Sequence, residues 1–359
     1  MTQTLKEVLN ADAFAGYIEA KTPDFVEAYE LESLFPLQRM SGLTYSYLKT
    51  ANGAVELTAP SAFDAEPITQ HRKGFDAMKG ELPLWRRKMN ISEKERQELM
   101  ILLDGNNEEA VKSLLRQIYD DQMTLVSGAK MTMEFLRSRV LMDGKINIES
   151  KGGVVSVDYK VPGTNKHTLT SNNTWDTPEA DVIGQIQTWL DTVEDKTGVR
   201  PDTLILNRNT FRYLRKNKTL RDNILPAGAL GQAIANTMVI TDAKLIEALK
   251  SLTGLAEVKV YNKKVSMDGA LYDLIEDNKV AIYPSGMKLG NTLVGISPAE
   301  FNAQYVADAG NDIAITTEGI AVNMIVNEKA PYTAETQVEF IGLPSFLASD
   351  FVVQATVKS

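Results

Sequence analysis

The chain of 359 residues contains no cysteine and only two histidines. Without cysteine it can form no disulfide bond, thiolate nucleophile or cysteine-based zinc site, which is consistent with folding in a reducing cytoplasm. His71 and His167 lie far apart in polar surroundings, and neither has neighbours at a metal-ligand spacing. We therefore expect both histidines to be solvent-exposed loop residues, and we predict no metal site.

Catalytic motifs are missing as well. The chain has no GxSxG, HExxH, GxxxxGK(S/T) or GxGxxG motif, so esterase, zincin, P-loop and Rossmann chemistry lack local support. Asp191, Glu194 and Asp195 could be drawn as paired carboxylates, but charges on the outer face of an amphipathic helix explain them better. We predict no catalytic residue, no cofactor and a protein that is not an enzyme. An α/β enzyme whose site residues are not local in sequence stays an alternative.

The chain also lacks strong positive charge and long apolar runs. Its formal net charge is −9, whereas a protein that grips the phosphate backbone needs a basic footprint. We expect any nucleic acid nearby to be enclosed, not bound by sequence. Residues 1–20 lack the features of a signal peptide, and no later run approaches about 18 apolar residues. We therefore expect neither secretion by the usual route nor a membrane-embedded protein.

The most informative feature that is present is one very long amphipathic segment. Apolar residues recur at helical spacing from Asn107 to Asp143, and Gly144 supplies a typical C-terminal stop. A helix over residues 107–143 would be about 50 Å long at 1.5 Å per residue. The periodic positions are Val111, Leu114, Leu115, Ile118, Leu125, Val126, Ala129, Met133, Leu136 and Val140.

Shorter elements flank this helix. Ser92-Glu-Lys-Glu95 is a capping box, which predicts the start of a preceding helix. Residues 145–149 and 154–161 are extended runs around a glycine-rich turn, which predicts a β-hairpin after the long helix. A long helix that leads into a hairpin indicates an elongated structural element.

The first part of the chain has little core of its own. Residues 1–40 carry seven acidic and three basic side chains and form an acidic arm. From Leu43 to about Pro83 the chain alternates briefly, and turn residues then replace any sustained apolar periodicity. A stretch of this length without its own core is typical of a protruding loop that packs on something else.

The second half alternates helices and strands. Thr177-Pro178 predicts the start of a helix that ends at Gly198, and residues 175–315 form a mixed α/β lobe. The last 40 residues instead alternate apolar and polar side chains, as an antiparallel sheet with one covered face does, and the long helix is the natural cover. The strands of the lobe are predicted at residues 203–207, 257–261 and 279–283, and those of the final sheet at residues 319–326, 336–340 and 351–357.

Two basic clusters are candidate contact surfaces. The first is Arg86-Arg87-Lys88, where the protruding loop returns. For each cluster a solvated face and contact with an acidic neighbouring subunit are the two main explanations, and enclosed nucleic acid is a weaker third. The second cluster lies on a helix predicted over residues 208–224 and consists of Arg208, Arg212, Arg215, Lys216, Lys218 and Arg221.

Five short motifs follow one another along almost the whole chain. They are Leu34-Phe-Pro36, the acidic helix start Ser92–Glu98, Val140–Ile146, Lys279–Gly286 with Gly295–Pro298, and the ending from Ala330-Pro-Tyr to Val357. In this order they resemble the major capsid proteins of tailed bacteriophages. The specific likeness is to the phage lambda major head protein family, also called major capsid protein E.

The resemblance implies an α+β subunit with the tailed-phage major capsid fold. Such a subunit has an N-terminal arm, an extended β loop, a peripheral domain with a long spine helix and an antiparallel sheet, and an α/β axial domain. On this chain the resemblance implies residues 1–41 for the arm, 42–90 for the loop and 173–315 for the axial domain. The peripheral domain would comprise residues 91–172, with the spine helix at 107–143, and residues 316–359.

The implied function is that of a structural subunit. Such proteins assemble into hexamers and pentamers that form an icosahedral shell around the packaged double-stranded DNA, in the virion capsid after assembly in the host cytoplasm. Portal, scaffold and decoration proteins are candidate partners, and a nanocompartment shell of the same fold is an alternative. The candidate intersubunit contacts are Arg86, Arg87, Lys88, Arg208, Arg212 and Arg215.

Overall fold

The computed structural model describes residues 16–17, 29–50, 75–104, 108–150, 153–224, 240–267, 269–305, 313–327 and 329–358. The chain divides into two compact units. Unit 1 comprises Met1–Ser46, Lys79–Leu136 and Asn291–Ser345. Unit 2 comprises Tyr47–Met78, Arg137–Gly290 and Phe346–Ser359.

The described residues form seven α-helices and seventeen strands. The helices are α1 Glu93–Asp104, α2 Glu108–Asp143, α3 Val182–Thr197, α4 Arg208–Lys216, α5 Lys218–Ile224, α6 Asp242–Thr253 and α7 Pro298–Tyr305. The strands are β1 Leu37–Arg39, β2 Thr44–Thr50, β3 Phe75–Glu81, β4 Leu84–Ile91, β5 Lys145–Ser150, β6 Gly153–Asp158, β7 Lys166–Thr168, β8 Thr203–Leu206, β9 Glu257–Val260, β10 Lys264–Met267, β11 Ala270–Asp273, β12 Lys279–Tyr283, β13 Thr292–Gly295, β14 Ile313–Ile315, β15 Ala321–Val326, β16 Ala334–Pro344 and β17 Val353–Thr356.

The predicted long helix is confirmed as α2. It has 36 residues and is therefore about 54 Å long. It ends at Gly144, whose φ of 64° lies in the left-handed region, and a Cβ there would come within 2.3 Å of Val161 Cγ2. Only glycine fits this turn, which leads into the predicted hairpin of β5 and β6. The capping box is also confirmed, because the Ser92 backbone N–H donates to the Glu95 carboxylate at 2.8 Å.

Unit 1 is built on a six-stranded sheet that α2 covers on one face. The strand order is β1-β13-β16-β15-β14, and β4 pairs with the other edge of β16. The predicted sheet with the long helix as its cover is confirmed for β15 and β16, which pair antiparallel. The buried contact consists of Val322, Met324, Val338 and Phe340 from the sheet and Ile118, Met123, Val126, Ala129 and Met133 from the helix.

The third strand predicted for that sheet lies elsewhere. Residues 351–357 contain β17, which belongs to the sheet of unit 2, so its predicted partnership with β15 and β16 is wrong. β17 pairs antiparallel with β12 and parallel with β7. Alternation of apolar and polar residues predicts a half-buried strand but carries no information about its partner.

Unit 2 contains a five-stranded sheet with the order β7-β17-β12-β8-β9. The three strands predicted for the α/β lobe are present as β8, β9 and β12, and α3 packs on this sheet with its predicted apolar face. That face consists of Val182, Ile186, Trp189, Leu190 and Val193, all of which are buried. Gly198 ends α3 in the left-handed conformation, as predicted.

The predicted start of α3 is wrong by four residues. Asp181 is the N-cap, and its carboxylate accepts the Gly184 N–H at 2.9 Å. Thr177-Pro178 precedes the helix because tertiary hydrogen bonds occupy the carbonyls that a longer helix would use. The Pro178 carbonyl accepts the Lys218 N–H at 2.7 Å, and the Ala180 carbonyl accepts the Asn217 side-chain amide at 2.7 Å.

The helix predicted over residues 208–224 is two helices. Asn217 interrupts it with an extended ψ of 126°, and its side-chain oxygen accepts the Leu220 N–H at 3.1 Å as the cap of α5. The same side chain donates to Ala180, so one buried asparagine ends α4, starts α5 and fixes the approach to α3.

The compact units do not follow the boundaries implied by the resemblance. Residues 291–305, which fall in the predicted axial domain, belong to unit 1 because β13 pairs with β16. Residues 137–172, assigned to the peripheral domain, belong to unit 2. As functional domains of an assembled shell, the five predicted segments stay a prediction.

Candidate assembly surfaces

The first basic cluster is divided between two faces of the sheet in unit 1. Arg86, Arg87 and Lys88 are consecutive in β4, and successive side chains of a strand point to opposite faces. Arg86 forms an ion pair with Glu339 at 2.6 Å, and Lys88 forms one with Glu335 at 3.0 Å. Two of the three predicted contact residues are therefore already paired within their own subunit.

Glu339 makes the Arg86 pair structurally important. Its side chain is only 3% exposed, and it also accepts the Ala299 N–H at 2.6 Å at the start of α7. A buried carboxylate needs such partners because an unpaired buried charge is strongly unfavourable. The neighbouring pair is more exposed, and there the hydrogen bond from Lys88 lowers the pKa of Glu335.

Arg87 differs from its two neighbours. It lies opposite Val338, on the face that α2 covers, yet it is exposed at the margin of the sheet. Within the described residues it forms no ion pair, and β4 pairs only with β16, so the outer edge of β4 is open there. Of the first cluster, Arg87 is the cation that forms no ion pair within the described part of the chain.

A groove lies on the polar face of the same sheet, beneath α7. Its volume is about 790 Å³, and the sheet contributes the polar side chains Asn323 and Gln337. Leu43, Phe301 and Tyr305 are exposed on its apolar side, and the two aromatic rings lie 4.5 Å apart. Contiguous exposed apolar side chains typically mark a surface that contacts another molecule.

The second basic cluster is also partly used inside its unit. Arg208 and Arg212 are exposed on the outer face of α4, opposite the buried Phe211 and Leu214. Arg215 instead forms an ion pair with Asp242 of α6. Arg208 and Arg212 thus remain available for contacts, whereas Arg215 links two helices of unit 2.

The acidic arm lies largely outside the described residues. Within it, Tyr17 packs on α2, with its ring 5.3 Å from Tyr119 and its hydroxyl donating to Asp120 at 2.5 Å. That hydrogen bond raises the pKa of Tyr17 to about 12. After the arm, the Leu31 N–H donates at 3.0 Å to the fully buried Glu134 of α2, which fixes the chain on the helix before β1.

His167 is not the exposed loop residue that the sequence predicts. It lies in β7, half-buried, and its ring stacks on Trp189 at 5.0 Å with an interplanar angle of 15°. Its Nε2 atom is buried without a hydrogen-bond partner among the described residues, and burial lowers its pKa. Three residues are too short for a strand to show in the sequence. His71 lies outside the described residues.

No arrangement typical of a catalytic or metal site is found in the described part of the chain. No group of three or more histidine, aspartate or glutamate side chains there could hold a metal ion. Asp191 and Glu194 lie on the outer face of α3 as predicted, where both pair with Arg200. None of the described helices is long and apolar enough to cross a membrane.

Comparisons with known proteins give a consistent result. The family model for phage major capsid protein E matches residues 21–357. Among solved structures, the chain is similar to the "putative capsid protein of prophage" from E. coli CFT073, with a TM-score of 0.54, 14% identity and coverage of 97% of this chain and 99% of that one. It is also similar to a phage-related protein from Bordetella bronchiseptica RB50, with a TM-score of 0.53, 12% identity and coverage of 95% and 96%.

The other comparisons add less. An encapsulin complex from Synechococcus elongatus PCC 7942 matches with a TM-score of 0.40 at 10% identity, covering 95% of each chain, which is too low to support an argument. No protein with a curated description matches the chain.

Proposed function

The chain belongs to the phage major capsid protein E family and is a structural subunit of a capsid shell, and from this premise we propose how it assembles. Copies associate into hexamers and pentamers that close into an icosahedral shell around packaged double-stranded DNA. The observation that carries this proposal is the match of the family model to residues 21–357, which leaves almost no part of the chain for another function.

The role is structural and not enzymatic. Among the described residues, the strongest charged clusters are ion pairs within one unit, such as Arg86 with Glu339 and Arg200 with Asp191. Such ion pairs orient elements of the fold, which is a structural use of charged side chains. We assign no catalytic residue, cofactor or metal to the chain.

Contacts between copies would use the cations and apolar side chains that the subunit does not use itself. These are Arg87 at the open edge of β4, Arg208 and Arg212 on α4, and the groove beneath α7. We propose that the acidic arm of a neighbouring copy docks near Arg87. Each exposed charge pair contributes only about 0 to 1 kcal/mol. A shell closed by many such contacts is stable as a whole, while each contact can still be broken and corrected.

The shell encloses DNA without reading its sequence. A net charge of −9 disfavours tight binding to the phosphate backbone, so packaged DNA can later be released. A portal, a scaffold and a decoration protein are the further partners that we propose. The site of action would be the virion capsid, with assembly in the host cytoplasm.

The direct test is to purify the full chain and examine it by negative-stain electron microscopy and light scattering. We expect closed particles tens of nanometres across, alone or with a co-expressed scaffold. A compact monomer or dimer under every assembly condition would contradict the proposal. Particles that reproducibly enclose one protein cargo, and that fail to form with the phage packaging components, would instead favour a nanocompartment shell.

A further inference from the structure

Strands β10 and β11 of unit 2 form a hairpin that does not join the five-stranded sheet. In the part of the chain that the structure describes, each of these strands pairs only with the other. A two-stranded hairpin is only marginally stable by itself. Here its base is held in place, because the Arg139 guanidinium donates to the Asp273 carbonyl at 3.1 Å and the next two residues, Leu274 and Ile275, are buried.

The outer edges of the hairpin present backbone groups that could extend the sheet. The Leu274 N–H donates to the Lys263 carbonyl at 2.9 Å, and hydrogen-bonded pairs alternate along an antiparallel ladder. The pair Ser266–Leu271 is therefore not hydrogen-bonded within the hairpin. Its N–H and C=O groups point outward, on the β10 side and on the β11 side, and there each edge can accept another strand. Nearer the base of the β11 edge, the Asp273 carbonyl already accepts the Arg139 guanidinium.

The side chains of β11 are typical of an edge strand that pairs with another strand. Leu271 is 73% exposed and Tyr272 is 40% exposed, although both are large and apolar. Edge strands that must remain unpaired are usually protected by charge, proline or a bulge. The four residues of β11 contain one charge, Asp273, at the base of the hairpin, and no proline.

The charges decide how two hairpins can approach. Lys263 and Lys264 lie on the β10 side, and Asp273 lies on the β11 side, where it pairs with Lys264 at 2.8 Å. If β10 met β10 of another copy, lysines would face lysines, and if β11 met β11, aspartates would face each other. Only an approach of β10 to β11 places opposite charges together. That contact is head-to-tail, and head-to-tail contacts form a ring where the rotation from one copy to the next closes, as it does in a hexamer or pentamer.

We propose that the β10 edge of one copy pairs with the β11 edge of the next, so that the hairpins of the copies in one capsomer form a continuous ring of strands. The inference rests on the proposed function, since it takes the partner to be a second copy in a closed ring. Four-residue strands supply few hydrogen bonds, so one contact is weak. Closing the ring makes the last contact intramolecular and stabilises all of them.

The test uses two charge reversals that are defective alone and compatible together. In Lys264→Glu, every β10 edge carries an acid that faces Asp273 of the next copy. In Asp273→Lys, every β11 edge carries a base that faces Lys264. Because all contacts of a ring change from attraction to repulsion, we expect the protein concentration needed for assembly to rise about tenfold or more for either variant.

Mixing the two variants separates contacts between copies from contacts within one copy. In an alternating ring, the introduced glutamate of one variant meets the introduced lysine of the other at one interface. The unchanged Lys264 and Asp273 meet at the next interface, so every intersubunit contact is complementary again. The repulsion inside each hairpin is not repaired by mixing.

We therefore expect a one-to-one mixture of the two variants to regain six-membered rings by native mass spectrometry and electron microscopy. Closed shells should stay rare, because a five-membered ring cannot alternate two variants.

The matched control is Lys259→Glu, which reverses the cation of another surface ion pair in unit 2, with Glu257 at 3.6 Å. It should assemble at the wild-type concentration. If Lys264→Glu and Asp273→Lys both assemble like wild type, or if their mixture regains no rings while wild type forms them, the hairpin ring is wrong. Failure of the wild-type chain itself to form rings would contradict the proposed function instead.

Discussion

Two adjacent arginines of β4 should respond very differently to the same substitution. Arg86→Glu places a carboxylate against the buried Glu339, whose other partner is the Ala299 N–H at the start of α7. Arg87→Glu changes an exposed side chain that forms no ion pair among the described residues. The two positions differ only in the face of β4 to which each side chain points, so the contrast tests the structure directly.

The expected magnitudes follow from burial. Removing one partner of a buried ion pair costs about 3–5 kcal/mol. The Arg86 side chain is about half exposed, so water screens part of the interaction and a loss of about 2–3 kcal/mol is the appropriate expectation. Surface substitutions away from such features change stability by about 0.5 kcal/mol or less, which is the expectation for Arg87→Glu.

The measurement is urea unfolding of unassembled subunits, followed by far-ultraviolet circular dichroism. Arg86→Glu should lower the urea midpoint clearly, and Arg87→Glu should leave it unchanged within error. Assembly should instead be affected by Arg87→Glu. If the acidic arm of a neighbouring copy docks near Arg87, this variant should assemble more slowly than wild type and with greater sensitivity to salt. Equal midpoints for the two variants would refute the stabilising role of the Arg86–Glu339 ion pair within the subunit.

Three further expectations concern the helix, the histidine and the arm. Leu125→Pro should destabilise unit 1 by about 3 kcal/mol or more, because proline breaks a buried turn of α2, and particles of normal yield and morphology would contradict this. Burial lowers the pKa of His167 below its ordinary 6.5, so the unfolded chain takes up a proton at a higher pH than the folded chain does. The free energy of unfolding in urea should therefore be highest above about pH 6.5 and decrease below it. His167→Phe should reduce this decrease at low pH. Removal of residues 1–28 should leave a subunit with a wild-type circular dichroism spectrum, since the hydrogen bond from Leu31 to Glu134 remains. Its shells should nevertheless be fragile or open. Shells with wild-type yield and salt resistance would show that the arm does not connect neighbouring subunits.

The features predicted correctly from the sequence are those that local rules determine. α2 is predicted by apolar spacing over about ten turns, and its end follows from the glycine after it. The capping box likewise predicts the start of the preceding helix, α1. Even here one contact is beyond sequence reasoning. The Gln354 side-chain amide donates to the Val140 and Leu141 carbonyls at 3.1 and 2.8 Å and satisfies backbone groups at the end of α2 from more than 200 residues away.

The errors arise where distant residues compete with local signals. Thr177-Pro178 is a sound helix start by local rules, but hydrogen bonds from Asn217 and Lys218 hold the chain out of the helix there. The partner of β17 depends on pairing across the whole fold. The division of Arg86, Arg87 and Lys88 is different, because the alternation of a strand would have predicted it had the segment been recognised as β4 and not as the base of a loop.

The way in which the chain uses its cations limits how its copies can associate. Arg86, Lys88 and Arg215 all pair with carboxylates of their own unit, so three of the six predicted contact residues already have an intramolecular partner. Of the remaining three, Arg87 is a single charge on β4, and Arg208 and Arg212 lie together on the outer face of α4. Since charges beyond about 8–10 Å are screened at physiological salt, each can act only on an acidic group that another contact has already brought close. Apolar side chains and strand edges must therefore provide the contact, and the cations select its orientation.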